Sequence, residues 1–212
     1  MMVRQGTKSK ILDAAERLFA ERGFADTSLR LITSEAEVNL ASVNYHFGSK
    51  KELIQAVLMR YLEQFMPLVD EAMLVHTQSK HAPSLEQVFN SFIEPLLAMN
   101  QIKRHGTAML LLLLGRGYTD SQGHLRKFIT HHFGEVLSRF QQAVKRAYPE
   151  LSDSDIFWRL HFTLGTVVFT MASSAALKDI AIADFNEQIN TEGLIRKVIP
   201  YLAAGVGAPN NP

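Results

Sequence analysis

The sequence predicts an all-α fold: a small N-terminal three-helix unit, joined by one long helix to a larger C-terminal helical bundle. Three observations predict it. Apolar residues recur at spacings of three and four almost throughout the chain. No alternating stretch of strand length interrupts them. Helix-starting and helix-stopping residues stand where each periodic run begins and ends.

Taken in order, Ile11, Leu12, Ala15, Leu18 and Phe19 mark a first helix over 7–22, with Thr7 to cap it and Gly23 to end it. Asp26, Thr27 and Ser28 offer caps for a short second helix bearing Leu29, Ile32 and Ala36. Val38 and Val43 pack a third short helix, about residues 40–46, onto the first two. Ser49 and Glu52 form a capping box for a fourth helix. It runs from Lys50 to about Val75, with Leu53, Val57, Tyr61, Leu62 and Phe65 inward and a bend expected at Pro67. Residues 76–84 read as a linker. Further helices follow over 84–101 (interrupted at Pro95), 106–118, 122–147, from Ser152 to about Leu177, and from a Thr191 cap to about Ala204. The domain division expected is 1–55 and 56–212.

The chain has 212 residues, 47% hydrophobic and 20% charged, enough for a sizeable core. It contains no Cys, which excludes disulfides and thiolate metal sites and fits a reducing, cytoplasmic setting. Net charge is only +1, so overall charge announces no polyanionic partner. Arg4, Lys8 and Lys10 do cluster near the start without an acid among them. No signal peptide is expected at the start, because polar residues follow where an apolar segment should begin. Leu160–Leu177 is uncharged over 18 residues, but its His, Thr, Ser and Gly content favours a buried interface helix over a membrane span.

Three short helices with a tight turn at Glu37-Val38-Asn39 read as helix-turn-helix, the arrangement that lays a helix in the DNA major groove. Val43 and Phe47 would hold the third helix down. Ser42, Asn44, Tyr45 and His46 would face outward. Helix N-termini at Thr27/Ser28 and Ser49/Lys50 would meet phosphates. Arg30 is a further phosphate candidate. Leu40 would contact a thymine methyl or simply pack, and Asn44 suits adenine or a phosphate.

Residues 11–54 resemble the N-terminal domain of TetR-family transcriptional regulators. The matching pieces are Ile11-Leu12, Ala14-Ala15, Leu18-Phe19, Gly23-Phe24, Thr27-Ser28, Ile32, Ala36, Val38, Tyr45-His46-Phe47, Ser49-Lys50 and Leu53. The resemblance implies a homodimer that binds a double-stranded DNA operator and a C-terminal domain that binds an inducer. It assigns phosphate contacts to Lys50 and to Thr27 or Ser28, and places Tyr45 and His46 at the end of the reading helix. Glu37 departs from the family, which has Gly at the turn.

The segments 30–57, 121–127 and 157–165 further resemble the PsrA type, a branch associated with long-chain fatty acids. That implies an apolar effector, a fatty acid or acyl-CoA, in the bundle. Met109, Leu113, Phe133, Phe140 and Phe162 are candidate lining residues. Arg116, Arg126, Arg159 and His161 are candidate partners for a carboxylate, which is costly to bury unpaired. Gly165, Thr166, Thr170, Ser173 and Ser174, with a stripe of Leu194, Ile195, Val198, Ile199 and Leu202, suggest that the last two helices dimerise.

No cofactor is implied. His124, His131 and His132 read as structural or surface residues, so no metal is expected. No nucleophile elbow, phosphate-binding Gly loop or zinc-binding His-Glu helix points to an enzyme. The rival reading is an architectural or division factor on the same scaffold without an inducer.

Overall fold

The computed structural model describes residues 6–119 and 123–209. Arg4 of the basic cluster and Ser121 and Gln122 of the 121–127 segment lie outside them. Within them the fold is all-α, as expected, with helices α1 (Thr7–Arg22), α2 (Leu29–Glu35), α3 (Leu40–Phe47), α4 (Lys50–Gln78), α5 (Leu85–Asn90), α6 (Ile93–Ile102), α7 (Gly106–Thr119), α8 (Gly123–Ala147), α9 (Asp153–Ala172), α10 (Ser174–Phe185) and α11 (Thr191–Val206).

The small unit is built on α1. Its apolar stripe, Ile11, Ala15, Leu18 and Phe19, is buried against Ile32 of α2, Val43 and Phe47 of α3, and Leu53 and Val57 of α4. The start of α1 differs from expectation. Gly6 is the N-cap, without a side-chain bond, and Thr7 is already helical. Gly23 ends α1 with φ 86 and ψ 170, a conformation open essentially to Gly alone.

The α2–α3 turn closes as a Schellman motif. Val38 N–H donates to Thr33 O (3.0 Å) and Glu37 N–H to Ser34 O (3.3 Å), which puts Glu37 at φ 54. A left-handed non-Gly residue costs about 1–2 kcal/mol, partly offset by the entropy a Gly would add to the unfolded chain. Glu37→Gly is therefore expected to raise the unfolding free energy by about 0.5–1 kcal/mol. Urea denaturation would show this as a higher midpoint at unchanged slope.

Helix α4 runs unbroken through Pro67 and reaches Gln78, three residues past the expected end. Ser49 caps it, accepting from Glu52 N–H at 3.2 Å. The Glu52 carboxylate accepts the Ser49 hydroxyl at 2.7 Å rather than reaching the backbone.

The break between α5 and α6 falls at Ser91-Phe92, not at Pro95. Pro95 is the third residue of α6, where its missing N–H had no intrahelical acceptor anyway. Helix α8 is kinked at Phe133 (φ −131, ψ 20). The run expected from Ser152 to Leu177 is two helices, which meet at Ser173 with a 70° bend. Helix α10 was not foreseen. Asn190, not Thr191, caps α11 by accepting from Gly193 N–H at 2.7 Å. No single helix among the described residues is long and apolar enough to cross a membrane.

The apolar stripe of α11 faces its own bundle. Ile195, Ile199, Leu202 and Val206 are buried and Leu194 and Val198 pack against the core, so this stripe is not a free surface. Its periodicity is that of a core helix, and a core face and an interface face read alike in sequence.

A buried ion network ties α1 to the rest. Glu16 is 1% exposed. It accepts from Arg60 Nη1 of α4 (3.0 Å) and from Lys103 Nζ at the end of α6 (2.7 Å). Arg60 also meets Asp13 at 2.7 Å. The Tyr61 hydroxyl is buried nearby and finds no hydrogen-bond partner of good geometry among the described residues. Burial, and then the Glu16 charge, push its pKa far above the usual tyrosine value. The phenol ionises in the unfolded chain near pH 10 while the folded one stays neutral, so stability contributed below that pH is lost as pH rises. Alkaline unfolding should set in near pH 10, and Tyr61→Phe should delay it, as circular dichroism across pH 8–12 would record.

Candidate nucleic-acid interface and apolar pocket

The turn delivers α3 with one face buried and one face open. Val43 and Phe47 anchor it in the core, as expected. Asn44 is exposed, Tyr45 is 85% exposed and Leu40 is 41% exposed. His46 is half-buried, its ring edge-on to Tyr45 (5.1 Å) and near Phe47 (6.2 Å). Ser42 is half-buried, and its hydroxyl donates to Asn39 Oδ1 at 2.9 Å.

Asn39, overlooked in the sequence, caps α3: its Oδ1 also accepts Ser42 N–H at 2.8 Å. The signal was present, an Asn followed three residues later by a Ser at the start of an apolar run. Gly48 closes the far end at φ 75 and ψ −55. A Cβ there would lie 2.6 Å from Glu52 Oε2. The Glu52 carboxylate could swing away from such a Cβ, so it is the positive φ that suits the α3–α4 corner to Gly.

The two ends of the face differ from expectation in one respect. Thr27 is fully buried, and its hydroxyl donates to Gly23 O (2.8 Å) and Leu18 O (3.1 Å). It fastens the α1–α2 corner and does not present a hydroxyl outward. Its neighbour Ser28 is exposed and caps α2, accepting Leu31 N–H at 3.1 Å, with its own proton left to donate. Lys50 reaches back across the corner, its Nζ donating to Ala25 O at 3.2 Å. The Lys50 ammonium, at the start of the helix that follows α3, is thus held at the α1–α2 connection, just before the exposed Ser28 and Arg30 in sequence. One short polar and aromatic helix flanked by a held cation is suited to a groove lined with phosphates.

A cavity of about 180 Å³ lies in the bundle. Phe65 of α4, Phe89 and Phe92 around α5, Leu96 of α6, Leu111 and Leu114 of α7, and Phe140 of α8 form one side. The other side is Leu160, Thr163, Leu164, Val167, Thr170 and Met171 of α9 with Ile195, Val198, Ile199 and Leu202 of α11. No charged residue among the described ones lines it. Phe140 packs edge-on against Phe92 (4.9 Å) and Phe89 (6.1 Å).

Of the eight candidate ligand-binding residues, Phe140 alone lines this cavity. Leu113 is fully buried core, and Met109 and Phe133 pack against the core elsewhere. Arg116 Nη2 donates to Ala20 O and Glu21 O at the end of α1, both at 3.4 Å. Arg159 Nη1 donates to Val206 O and Ala208 O at the end of α11, both at 2.5 Å. Both cations satisfy helix C-terminal carbonyls. His161 is exposed, with Nδ1 against Phe157 O at 2.6 Å. Arg126 is exposed as well. Phe162 is 65% exposed. Size drew attention to these residues, whereas helical face decides: 160, 163, 164, 167 and 171 turn inward and 158, 162 and 169 turn out.

That outer face is large and apolar. Trp158, Phe162 and Phe169 of α9 share it, and Ile180, Ile182 and Phe185 of α10 are also exposed. Gly165 lies between Phe162 and Phe169 with open space around it. Thr170, by contrast, faces the cavity.

Comparison with known proteins meets both parts of this structure. Residues 11–57 match the family model described as bacterial regulatory proteins, tetR family, and residues 90–205 match that of the tetracyclin repressor-like C-terminal domain. The probable helix-turn-helix transcriptional regulator YttP of Bacillus subtilis is 33% identical over 89 residues, 42% of this chain and 43% of that protein. The chain thus spans less than half the length of that relative. A TetR-like transcriptional regulator from Rhodococcus sp. RHA1 superposes with a TM-score of 0.60 at 18% identity, covering 99% of this chain and all of that one. SmeT in its triclosan complex gives 0.55 at 19% identity, over 96% and 91%. At these identities the structural likeness is one of fold.

Proposed function

Because the chain belongs to the TetR family of bacterial transcriptional regulators, we propose that it is a cytoplasmic, ligand-responsive repressor. It binds a near-palindromic operator as a homodimer and is released by an apolar effector. Residues 1–55 form the DNA-binding domain, and 56–212 bind the ligand and dimerise. The observation that carries the reading is the open face of α3, capped at Asn39, locked at Gly48 and edged by Lys50.

Ser42, Asn44, Tyr45, His46 and Leu40 approach base edges and sugars, while Ser28, Arg30 and Lys50 meet phosphates. The outer face of α9 and α10 is the dimer interface, since an aromatic patch of this extent is costly to leave in water. Two-fold symmetry then sets the two α3 helices in successive major grooves.

The effector is apolar because the cavity is. Known apolar cavities of about 150 Å³ accept benzene. This one, at about 180 Å³, takes a compact neutral molecule without rearrangement. SmeT, of the same fold, was solved in complex with triclosan, which supports a small-molecule effector. A long-chain fatty acid or acyl-CoA, the PsrA-type effector, requires the cavity to widen and its polar head to sit outside the apolar lining.

The test is an operator footprint challenged with neutral apolar compounds and with fatty acids and acyl-CoAs. Release by any of them supports the reading, and the class that acts identifies the effector. A footprint that none of them releases favours the architectural factor.

A further inference from the structure

We propose that the pocket-lining helices α6 and α7 grip α1 directly, and that Lys103 and Arg116 are the positioning residues which set the angle of the DNA-reading unit. The covalent route from pocket to α3 runs along α4. The structure contains a second route. Phe92 and Leu96, at the start of α6, line the cavity, and the C-terminus of the same helix carries Lys103 onto the buried Glu16 of α1. Leu111 and Leu114 of α7 line the cavity, and Arg116, half a turn further on, holds the last carbonyls of α1. Thr107 locks the two helices together, its hydroxyl on Leu96 O at 2.5 Å and its N–H on Asn100 Oδ1 at 3.3 Å.

A molecule that spreads the cavity therefore displaces a helix pair that is moored to α1 at both of its ends. Helix α1 packs on α2 and α3, so its tilt becomes theirs. The Lys103 contact is the adjustable one. Its side chain is 41% exposed, while the opposite oxygen of Glu16 stays paired with Arg60 whether or not Lys103 is present. Losing Lys103 thus strips one Glu16 oxygen of its partner but keeps the carboxylate paired with Arg60, so it destabilises the chain without leaving Glu16 wholly uncompensated. The consequence for regulation rests on the function proposed above, but the grip itself needs neither operator nor effector.

The chain has no Cys, so single labels can be placed cleanly. Ala41→Cys on α3 and Gln142→Cys on α8 are both at exposed positions. Spin labels there, diluted with unlabelled chain, report the intramolecular distance by electron double resonance. The native background should give one narrow distribution, and Lys103→Arg should keep it. Lys103→Met combined with Arg116→Met should at least double its width or add a second maximum. A native-like distribution in that double variant overturns the grip, and so does an equal broadening by Lys103→Arg. Failure there would leave the proposed function standing, and a missing operator would leave the grip standing.

Discussion

Arg60→Met should lower the unfolding free energy by about 3 kcal/mol. Glu16 is 1% exposed and sits on the apolar side of α1, four residues from Leu12 and three from Phe19. Its carboxylate is tolerable there because Arg60 and Lys103 each take one oxygen. Removing Arg60 strips one Glu16 oxygen of its partner and also removes the 2.7 Å ion pair with Asp13. Breaking a buried pair costs about 3–5 kcal/mol, and the remaining Lys103 holds the loss to the lower end. In a chain of this size that corresponds to a fall of roughly 10 °C in melting temperature. Adding Glu16→Leu to Arg60→Met should restore much of the loss, because an apolar side chain needs no partner. If Arg60→Met melts with the native chain, Glu16 is not the buried anchor described.

Lys50→Met should weaken operator binding about 30-fold without changing which sequence is preferred. In the proposed dimer the ammonium, held against Ala25 O, would provide one phosphate contact per protomer and two per dimer. At about 1 kcal/mol each, their loss sums to about that factor. Counterion release supplies a second, independent readout. The slope of log K against log salt should shrink by about 1.8, at about 0.9 per lost contact. Titration by fluorescence anisotropy at several salt concentrations measures both. An unchanged slope would remove Lys50 from the interface.

Much of the fold was legible because its determinants are local. The periodicity of α1, the caps at Ser28, Ser49 and Ser152 and the Gly23 stop each depend on a few adjacent residues. The open face of α3 was legible for the same reason: Val43 and Phe47 fix which side is down, and Asn44 and Tyr45 follow. Thr27 was misread because a Thr before a helix resembles a cap, whereas its burial depends on where Leu18 O and Gly23 O fall in space. The pocket was less legible. Arg116 and Arg159 satisfy carbonyls of helices distant in sequence, and nothing in their own neighbourhoods announces that. Helix α10 was missed because Ser173-Ser174 looked like small groups on a continuing helix, not like a 70° corner. Glu16 had a local signal, an acid inside an apolar stripe, while its partner Lys103 lies 87 residues away.

Whether α3 reads DNA is tested most directly by selection from random duplexes with the purified chain. The result expected is a near-palindrome with half-site centres about one helical turn apart, or a multiple of it. It should be lost when the exposed Asn44 and Tyr45 are both replaced by Ala. Recovery of no preferred sequence, or of the same sequence with that double variant, would contradict DNA reading by α3.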